Sequence, residues 1–193
     1  MKYDNNIEEV NLNSQNLSEI PKEIFSLVNL KKLYLYDNKI SNIPTSIKYL
    51  KNLECLDIRD NNLQSLPLEI GELKNLKTLY LSNNQIKDLP ISFKKLENLN
   101  KIVYINNDLK TIPSVIFQLK NIQRLILRIN KIEILDKDIK QLKDLKNLDL
   151  KSNSLKKLPE EILELKNLRS LSIEENPIDK LSLVLKNLKV LKN

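Results

Sequence analysis

LKKLYLYDNKISNIPTSIKYLKN, residues 30–52, contains a pattern that recurs along the whole chain. Leu33 is its anchor, and aliphatic counterparts follow a 23-residue period without insertion at Val10, Leu56, Leu79, Ile102, Leu125, Leu148 and Leu171. An apolar residue or a tyrosine stands two positions after every anchor, and Ile or Leu stands seven positions after it. Eight aligned copies predict an array of eight stacked repeats.

Each repeat contains two kinds of hydrophobic spacing. Leu33, Tyr34 and Leu35 alternate with period two, which predicts a short strand with leucines inward and tyrosine outward. The apolar positions of residues 40–53 suit a turn and a short helical or 3-10 segment, with Pro44 near its start. One repeat cannot bury its own apolar stripe, so neighbouring strands must stack about 4.8 Å apart in a parallel sheet.

The repeat LxxLxLxxNxL followed by xxLPxxIxxLxN resembles the leucine-rich repeat family over essentially the whole chain. The 23-residue LPxxI form is similar to intracellular Ras-group repeats and to bacterial ones. The resemblance implies an α/β fold, a right-handed horseshoe solenoid with a concave parallel β-sheet and convex short helical or 3-10 segments, and it implies protein binding. We expect a single domain over residues 1–193, in which residues 1–9 lead into the eight repeats.

The repeat around Ile102 allows a second register. Val103 and Ile105 are apolar, and a shift of one residue would bury them instead of Tyr104. Asn107 and Leu109 would then leave their columns, so we expect Tyr104 to point inward.

Two asparagine columns are expected to shape the turns of a chain that has one glycine, Gly71. The first follows each anchor by five residues and should bond buried backbone groups of neighbouring repeats, with Gln15 replacing Asn in the first repeat: Asn38, Asn61, Asn84, Asn107, Asn130, Asn153 and Asn176. The second ends the helical segments, where we expect left-handed backbone, with Asp144 as the exception: Asn29, Asn52, Asn75, Asn98, Asn121 and Asn167.

Composition argues against chemistry within the chain. There is no histidine and one cysteine, Cys55, which excludes an internal disulfide, a Cys/His zinc site and nucleophilic catalysis by a Ser-His or Cys-His pair. Glycines are too few for a phosphate-binding loop. We therefore expect no catalytic residue, metal or cofactor, and no enzyme activity without a further domain. The lone cysteine and the polar N-terminus favour a cytoplasmic protein, and a signal peptide outside this sequence would make it a secreted one.

The outward strand positions are where we expect function, because the inward positions are fixed by folding. The predicted partner-binding surface on the concave face combines aromatic, aliphatic and charged residues inside a rim of Asn and Ser: Tyr34, Tyr36, Asp57, Arg59, Tyr80, Val103, Ile105, Ile126 and Arg128. Strands favour Tyr, Val and Ile in any case, which leaves a purely structural alternative open.

The net charge of +7 offers a second surface. Six lysines share one repeat position near the end of the outer segment: Lys51, Lys74, Lys120, Lys143, Lys166 and Lys189. Such an edge complements helix dipoles and aids solubility, or it binds an acidic protein, a phosphoinositide or nucleic acid. No aromatic residue lies between these lysines, so we do not expect nucleic acid as the partner.

Several alternatives therefore stay open. The chain could be an adaptor or exported host-interacting protein that uses the basic edge, or a fragment of a multidomain protein. Its Lys, Asn and Ile bias favours an AT-rich, bacterial genome. No stretch is long enough to span a membrane. The first strand, around Val10, is expected to be an open sheet edge unless residues 1–9 cover it, and we expect weak self-association through that edge. The last repeat, LSLVLKNLKVLKN, could seal its own end with a helix.

Overall fold

The computed structural model describes residues 6–178, and within them eight short strands form one parallel sheet in sequence order. Each anchor is the middle residue of its strand and pairs with the anchor of every neighbouring strand, as Leu33 does with Val10 and Leu56. Every connection therefore advances by one repeat. The strands are β1 Glu9–Asn11, β2 Lys32–Tyr34, β3 Cys55–Asp57, β4 Thr78–Tyr80, β5 Lys101–Val103, β6 Arg124–Ile126, β7 Asn147–Asp149 and β8 Ser170–Ser172.

A five-residue 3-10 helix follows each of the first seven strands. Of the two predicted forms of the outer segment, helical or 3-10, the described repeats therefore adopt the 3-10 form. Its first turn closes when the carbonyl of the preceding proline accepts an N–H three residues on, as Pro44 does from Ile47. Asp136 replaces proline in one repeat and caps with its side chain. These helices are Lys22–Ser26, Thr45–Tyr49, Leu68–Glu72, Ile91–Lys95, Ser114–Gln118, Lys137–Gln141 and Glu160–Glu164.

The core lies between the sheet and the 3-10 helices, and the repeat columns fill it with Leu and Ile. Tyr104 occupies a leucine column, is fully buried, and donates from its hydroxyl to the carbonyl of Ile86 at 2.9 Å. That placement confirms the register chosen for the fifth repeat. Gly71 serves close packing, because an added Cβ would lie 2.4 Å from the carbonyl oxygen of Ser92 in the next repeat.

The first asparagine column forms the predicted ladder. Asn84 is buried, and its Nδ2 donates to the carbonyls of Ile58 at 2.9 Å and Leu81 at 3.1 Å. Its Oδ1 accepts the N–H of Leu63 at 3.0 Å. The corresponding bonds to the preceding repeat recur from Asn38 to Asn176. One side chain thus satisfies backbone groups that the turn leaves buried and unpaired.

The prediction for the second asparagine column is wrong. No member of that column has positive φ. Each 3-10 helix ends at a capping residue that also has negative φ and whose N–H bonds three residues back, as that of Leu50 does to Ile47. Asn52 instead donates from Nδ2 to the carbonyl of Val28 in the preceding repeat, and Asn75, Asn98, Asn121 and Asn167 do likewise.

Left-handed backbone occurs mainly at another place, directly before the ladder asparagines. The residues there have φ between 53° and 57°, within the left-handed region: Asp37, Asp60, Asn83, Asn106, Ile129, Ser152 and Glu175. Asp, Asn and Ser tolerate it because their short polar side chains bond locally. Ile129, at φ 55°, is β-branched and exposed, and so carries backbone strain.

Three predictions depend on residues outside 6–178. They are the terminal helix of the last repeat, the position of Lys189, and the covering of β1 by the N-terminal residues. The single domain over residues 1–193, with its lead-in 1–9, also stays a prediction. Within the described part, no helix is long and apolar enough to cross a bilayer.

Candidate functional site

The outward side chains of β1–β8 and of the residues beside them form one surface, which we call the sheet face. In-register pairing aligns equivalent positions, so that Tyr34 neighbours Asp57, Asp57 neighbours Tyr80, and Val103 neighbours Ile126. All nine predicted binding residues belong to the second to sixth repeats of this surface. Eight are at least partly exposed, and Asp57 is only 3% exposed.

A stack of aromatic and cationic groups occupies the first half of the sheet face. The guanidinium carbon of Arg59 lies 5.2 Å from the ring centre of Tyr36 and 5.0 Å from that of Tyr80. The same guanidinium binds the carboxylate of Asp57: Nε donates to Oδ1 at 2.8 Å, and Nη2 donates to Oδ2. The hydrogen bond to Asp57 raises the pKa of Arg59 above its ordinary value. Arg59 is thus a fixed plate between two rings, and its fork is already occupied.

Lys101 extends this stack into the next repeat. Its Nζ lies 4.8 Å from the ring centre of Tyr80 and donates to the Tyr80 hydroxyl at 3.0 Å. Tyr34 is half-buried nearby, and burial raises the pKa of its hydroxyl. Burial, followed by the charge of Asp57, also raises the pKa of the Cys55 thiol. A raised pKa disfavours the thiolate, so Cys55 has none of the activation of a reactive cysteine.

The second half of the sheet face forms an open hollow of about 800 Å³. Val103, Ile105 and Ile126 are half-buried in its floor, and Arg128 is exposed on its side towards the strand ends. Cations stand at the strand beginnings, on the opposite side of the apolar residues: Lys101, Arg124, Lys146 and Arg169. Asp149 is the carboxylate among the lining residues of this hollow.

Charges at the strand beginnings are neutralised in the first half. Lys31 pairs with Glu8 at 2.6 Å, Lys32 with Glu9 at 3.0 Å and Lys77 with Glu54 at 2.8 Å. Each acid lies one repeat before its lysine. In the second half, the residue one repeat before Lys146 is the neutral Gln123, whose Oε1 accepts a hydrogen bond from Lys146 Nζ at 3.0 Å. Within residues 6–178, no acidic side chain forms an ion pair with the cations of the hollow: Lys101, Arg124, Arg128, Lys146 and Arg169.

Most lysines of the basic edge, the predicted column that begins at Lys51, form ion pairs or hydrogen bonds with other groups of the protein. Lys143 pairs with Glu164 at 3.0 Å and Lys51 with Glu72 at 3.7 Å. Hydrogen bonds and charge from neighbouring lysines lower the pKa of both carboxyls. Lys74 and Lys166 donate to backbone carbonyls at 3.0 Å. Most of this lysine column therefore serves the packing of the outer turns.

Two family models match the chain. One described as leucine rich repeat matches residues 5–63 and 120–178, and one described as leucine-rich repeat region matches residues 47–132. The first covers more than half of the sequence. The chain belongs to the leucine-rich repeat family. No curated protein sequence matches it.

Solved structures of this family share its fold. A leucine-rich repeat protein of Leptospira interrogans is 31% identical with a TM-score of 0.72, over 95% of this chain and 59% of the other. Internalin C2 of Listeria monocytogenes is 27% identical with a TM-score of 0.81, over 95% and 78%. The plant peptide hormone receptor RGFR1, in complex with RGF2, is 26% identical with a TM-score of 0.64, over 83% and 30%. This chain thus spans 59% of the Leptospira protein's length.

The leucine-rich repeat fold is a general protein-interaction module and typically a non-enzymatic scaffold. Residues 6–178 contain no group of three or more acidic, His or Cys side chains that could hold a metal ion.

Sequence reasoning missed the cations at the strand beginnings of this leucine-rich repeat protein. It examined only the outward positions after each anchor, where Arg128 stands. The same alternation carried one residue back would have found Lys101 and Arg124, since the residue before an inward anchor also points outward. Lys146 and Arg169 lie one position earlier still, beside the strand, where alternation alone gives no signal.

Proposed function

We propose that this leucine-rich repeat protein binds a protein partner through its sheet face. The observation that carries the proposal is the composition of that face over β2–β6, where aromatic and aliphatic side chains lie among arginines. Aromatic residues and arginine are enriched at protein interfaces and dominate their hot spots. An open sheet of this width suits a segment of a protein better than a small molecule, which favours an enclosed pocket.

The nine predicted residues divide into contact and support. Tyr36 and Arg128 are exposed and available for direct contact, and Val103, Ile105 and Ile126 offer an apolar floor. Asp57 is buried beneath Arg59, so its proposed role is to hold the guanidinium plate in place. A plate immobilised before binding loses little conformational entropy when a partner covers it.

The basic edge is a weaker candidate, because most of its lysines within residues 6–178 are engaged with Glu72, Glu164 and backbone carbonyls. We also propose that the chain has no catalytic activity of its own, since the sheet face presents no activated nucleophile or acid–base pair. Self-association through β1 stays a prediction, which light scattering over a range of concentrations would test.

Affinity capture with matched variants tests the proposal. The bait is the full chain as wild type, as a sheet-face variant carrying Tyr80→Ala and Arg128→Ala, and as an edge variant carrying Lys74→Ala and Lys120→Ala. Bound proteins are identified by mass spectrometry. We expect one or more proteins to be retained by the wild type and the edge variant and lost from the sheet-face variant.

Circular dichroism on the three baits is the control for folding. None of the four substituted side chains belongs to the hydrophobic core, so the three melting curves should nearly coincide. Partners that disappear with the edge variant and remain with the sheet-face variant would overturn the proposal and assign function to the edge.

A further inference from the structure

We infer that the second half of the sheet face takes an acidic segment of a protein, one that carries apolar side chains beside a row of carboxylates. The inference rests on the proposed function and specifies the chemistry of its partner. The hollow over β5–β8 combines the two features required, an apolar floor and cations that meet no acidic side chain within residues 6–178.

The charge balance of the hollow is strongly positive. Five basic side chains that form no ion pair within the described part of the chain line it, together with one carboxylate, Asp149. The backbone N–H of Lys151 donates to Asp149 Oδ1 at 3.1 Å, which partly occupies that carboxylate. Arg59 also borders the hollow, but its charge is matched by Asp57. Like charges held close together on a surface repel one another, and bound carboxylates relieve that repulsion.

The geometry limits how the carboxylates are arranged. Lys101 and Arg124 begin adjacent strands and pair in register, about 4.8 Å apart. Lys146 and Arg169 continue the row across β7 and β8. The apolar floor of Val103 and Ile126 runs parallel to that row, two residues further along the strands. A matching segment therefore lies across the strands, with its acids towards the strand beginnings and its apolar residues over β5 and β6.

A protein segment fits these features better than other polyanions. A nucleic acid or a lipid headgroup would use the cations but offers no apolar group for the aliphatic floor. Tyr80 borders the hollow, but Arg59 and Lys101 already lie over its ring, and no aromatic residue lies among the cations of β6–β8 to stack on a base. Arginine forks favour carboxylates as well as phosphates, and Arg124, Arg128 and Arg169 are exposed with their forks unoccupied by residues 6–178.

A random library of short displayed peptides, selected on the full chain, tests this inference. The variants are a cation variant (Arg124→Gln, Lys146→Gln and Arg169→Gln), a floor variant (Val103→Ser and Ile126→Ser), and a matched edge variant (Lys74→Gln, Lys120→Gln and Lys166→Gln). The two triple variants remove the same charge. Poly(dT) and phosphatidylserine vesicles are the competing probes.

We expect the wild type to select peptides rich in Asp and Glu next to apolar residues. Their affinity should fall by roughly tenfold or more in the cation variant and stay unchanged in the edge variant. The floor variant should also bind them weakly, and raised salt should weaken binding to the wild type because exposed charges are screened.

Other outcomes overturn the inference in distinguishable ways. Neutral or basic peptides that need the floor residues would refute the acidic partner and leave the proposed function standing. Peptides that bind all variants equally would refute both, and so would the absence of any selected peptide together with capture of partners at the edge. Binding of poly(dT) or vesicles through the three substituted cations, with no acidic peptide selected, would assign the hollow to nucleic acid or lipid.

Discussion

The two halves of the sheet face share one backbone and differ in how their charges are used. In β1–β4 the cations at the strand beginnings meet acids one repeat earlier, as Lys77 meets Glu54. In β5–β8 the equivalent Lys146 meets the neutral Gln123. Folding does not require the difference, since the strands pair identically in both halves. It marks the second half as the place where a partner can supply the missing carboxylates.

The largest expected effect is on binding, and it should differ between the halves. Arg128→Ala should weaken binding of the partner by about 1–4 kcal/mol, because it truncates an exposed arginine beside the apolar floor. Lys77→Ala removes a cation whose charge Glu54 already matches, and should change the affinity by less than about 0.5 kcal/mol. Isothermal titration gives both values. Equal losses would erase the proposed distinction between the halves.

The asparagine ladder should show no difference between the halves. Asn84→Ala and Asn130→Ala each leave buried backbone groups unsatisfied, and each should lower the free energy of unfolding by about 1–3 kcal/mol. Lys95→Ala, on the outer surface, should stay within about 0.5 kcal/mol. Urea denaturation of the three variants provides the comparison. An Asn variant as stable as Lys95→Ala would contradict the ladder's role in folding.

The residue with positive φ directly before each ladder asparagine differs between the halves, and substitutions can exchange the two residue types. Ile129→Asn should stabilise the fold by about 1 kcal/mol, because asparagine tolerates φ 55° better than a β-branched residue. Asp37→Ile, the reverse change in the first half, should destabilise it by a similar amount. Thermal unfolding measures both shifts. If the exposed Ile129 side chain contacts the partner beside Arg128, Ile129→Asn should also weaken partner binding. A loss of stability in Ile129→Asn would show that Ile129 does not strain the backbone.

The smallest effect concerns pH. The hydrogen bond from Lys77 lowers the pKa of Glu54, and the pair therefore stabilises the fold above the unfolded-state pKa of about 4.3. That contribution is lost as the pH falls through the lowered folded-state pKa. The thermal midpoint of Glu54→Gln should approach that of the wild type over this acidic range. A gap between the two midpoints that does not close at acid pH would show that ionisation of Glu54 is not its cause, and no gap at neutral pH would show that the pair contributes nothing.

The repeat period was sufficient to predict the fold, because inward positions such as Leu33 and Tyr104 must satisfy the same core in every repeat. Asn84 was predictable for the same reason, since a buried turn needs an amide in every copy. The left-handed backbone was assigned to the wrong column, that of Asn52, because asparagines in several columns look alike in sequence. Only the backbone shows that Asn52 and Asn84 have negative φ and that Asn83, directly before Asn84, has positive φ. The charge pairing was missed because Lys77 and Lys146 are identical residues, and their partners lie a whole repeat away.

Gln123→Glu tests the central claim most directly. It places an acid one repeat before Lys146, where Glu54 stands before Lys77, and removes no cation. We predict that the Kd of an acidic peptide selected on the wild type rises severalfold in Gln123→Glu, with the melting temperature nearly unchanged, and stays constant in Glu54→Gln. A Kd that is unchanged by Gln123→Glu, or altered equally by both substitutions, would contradict the claim that the partner is held by the second-half cations, which meet no acid within residues 6–178.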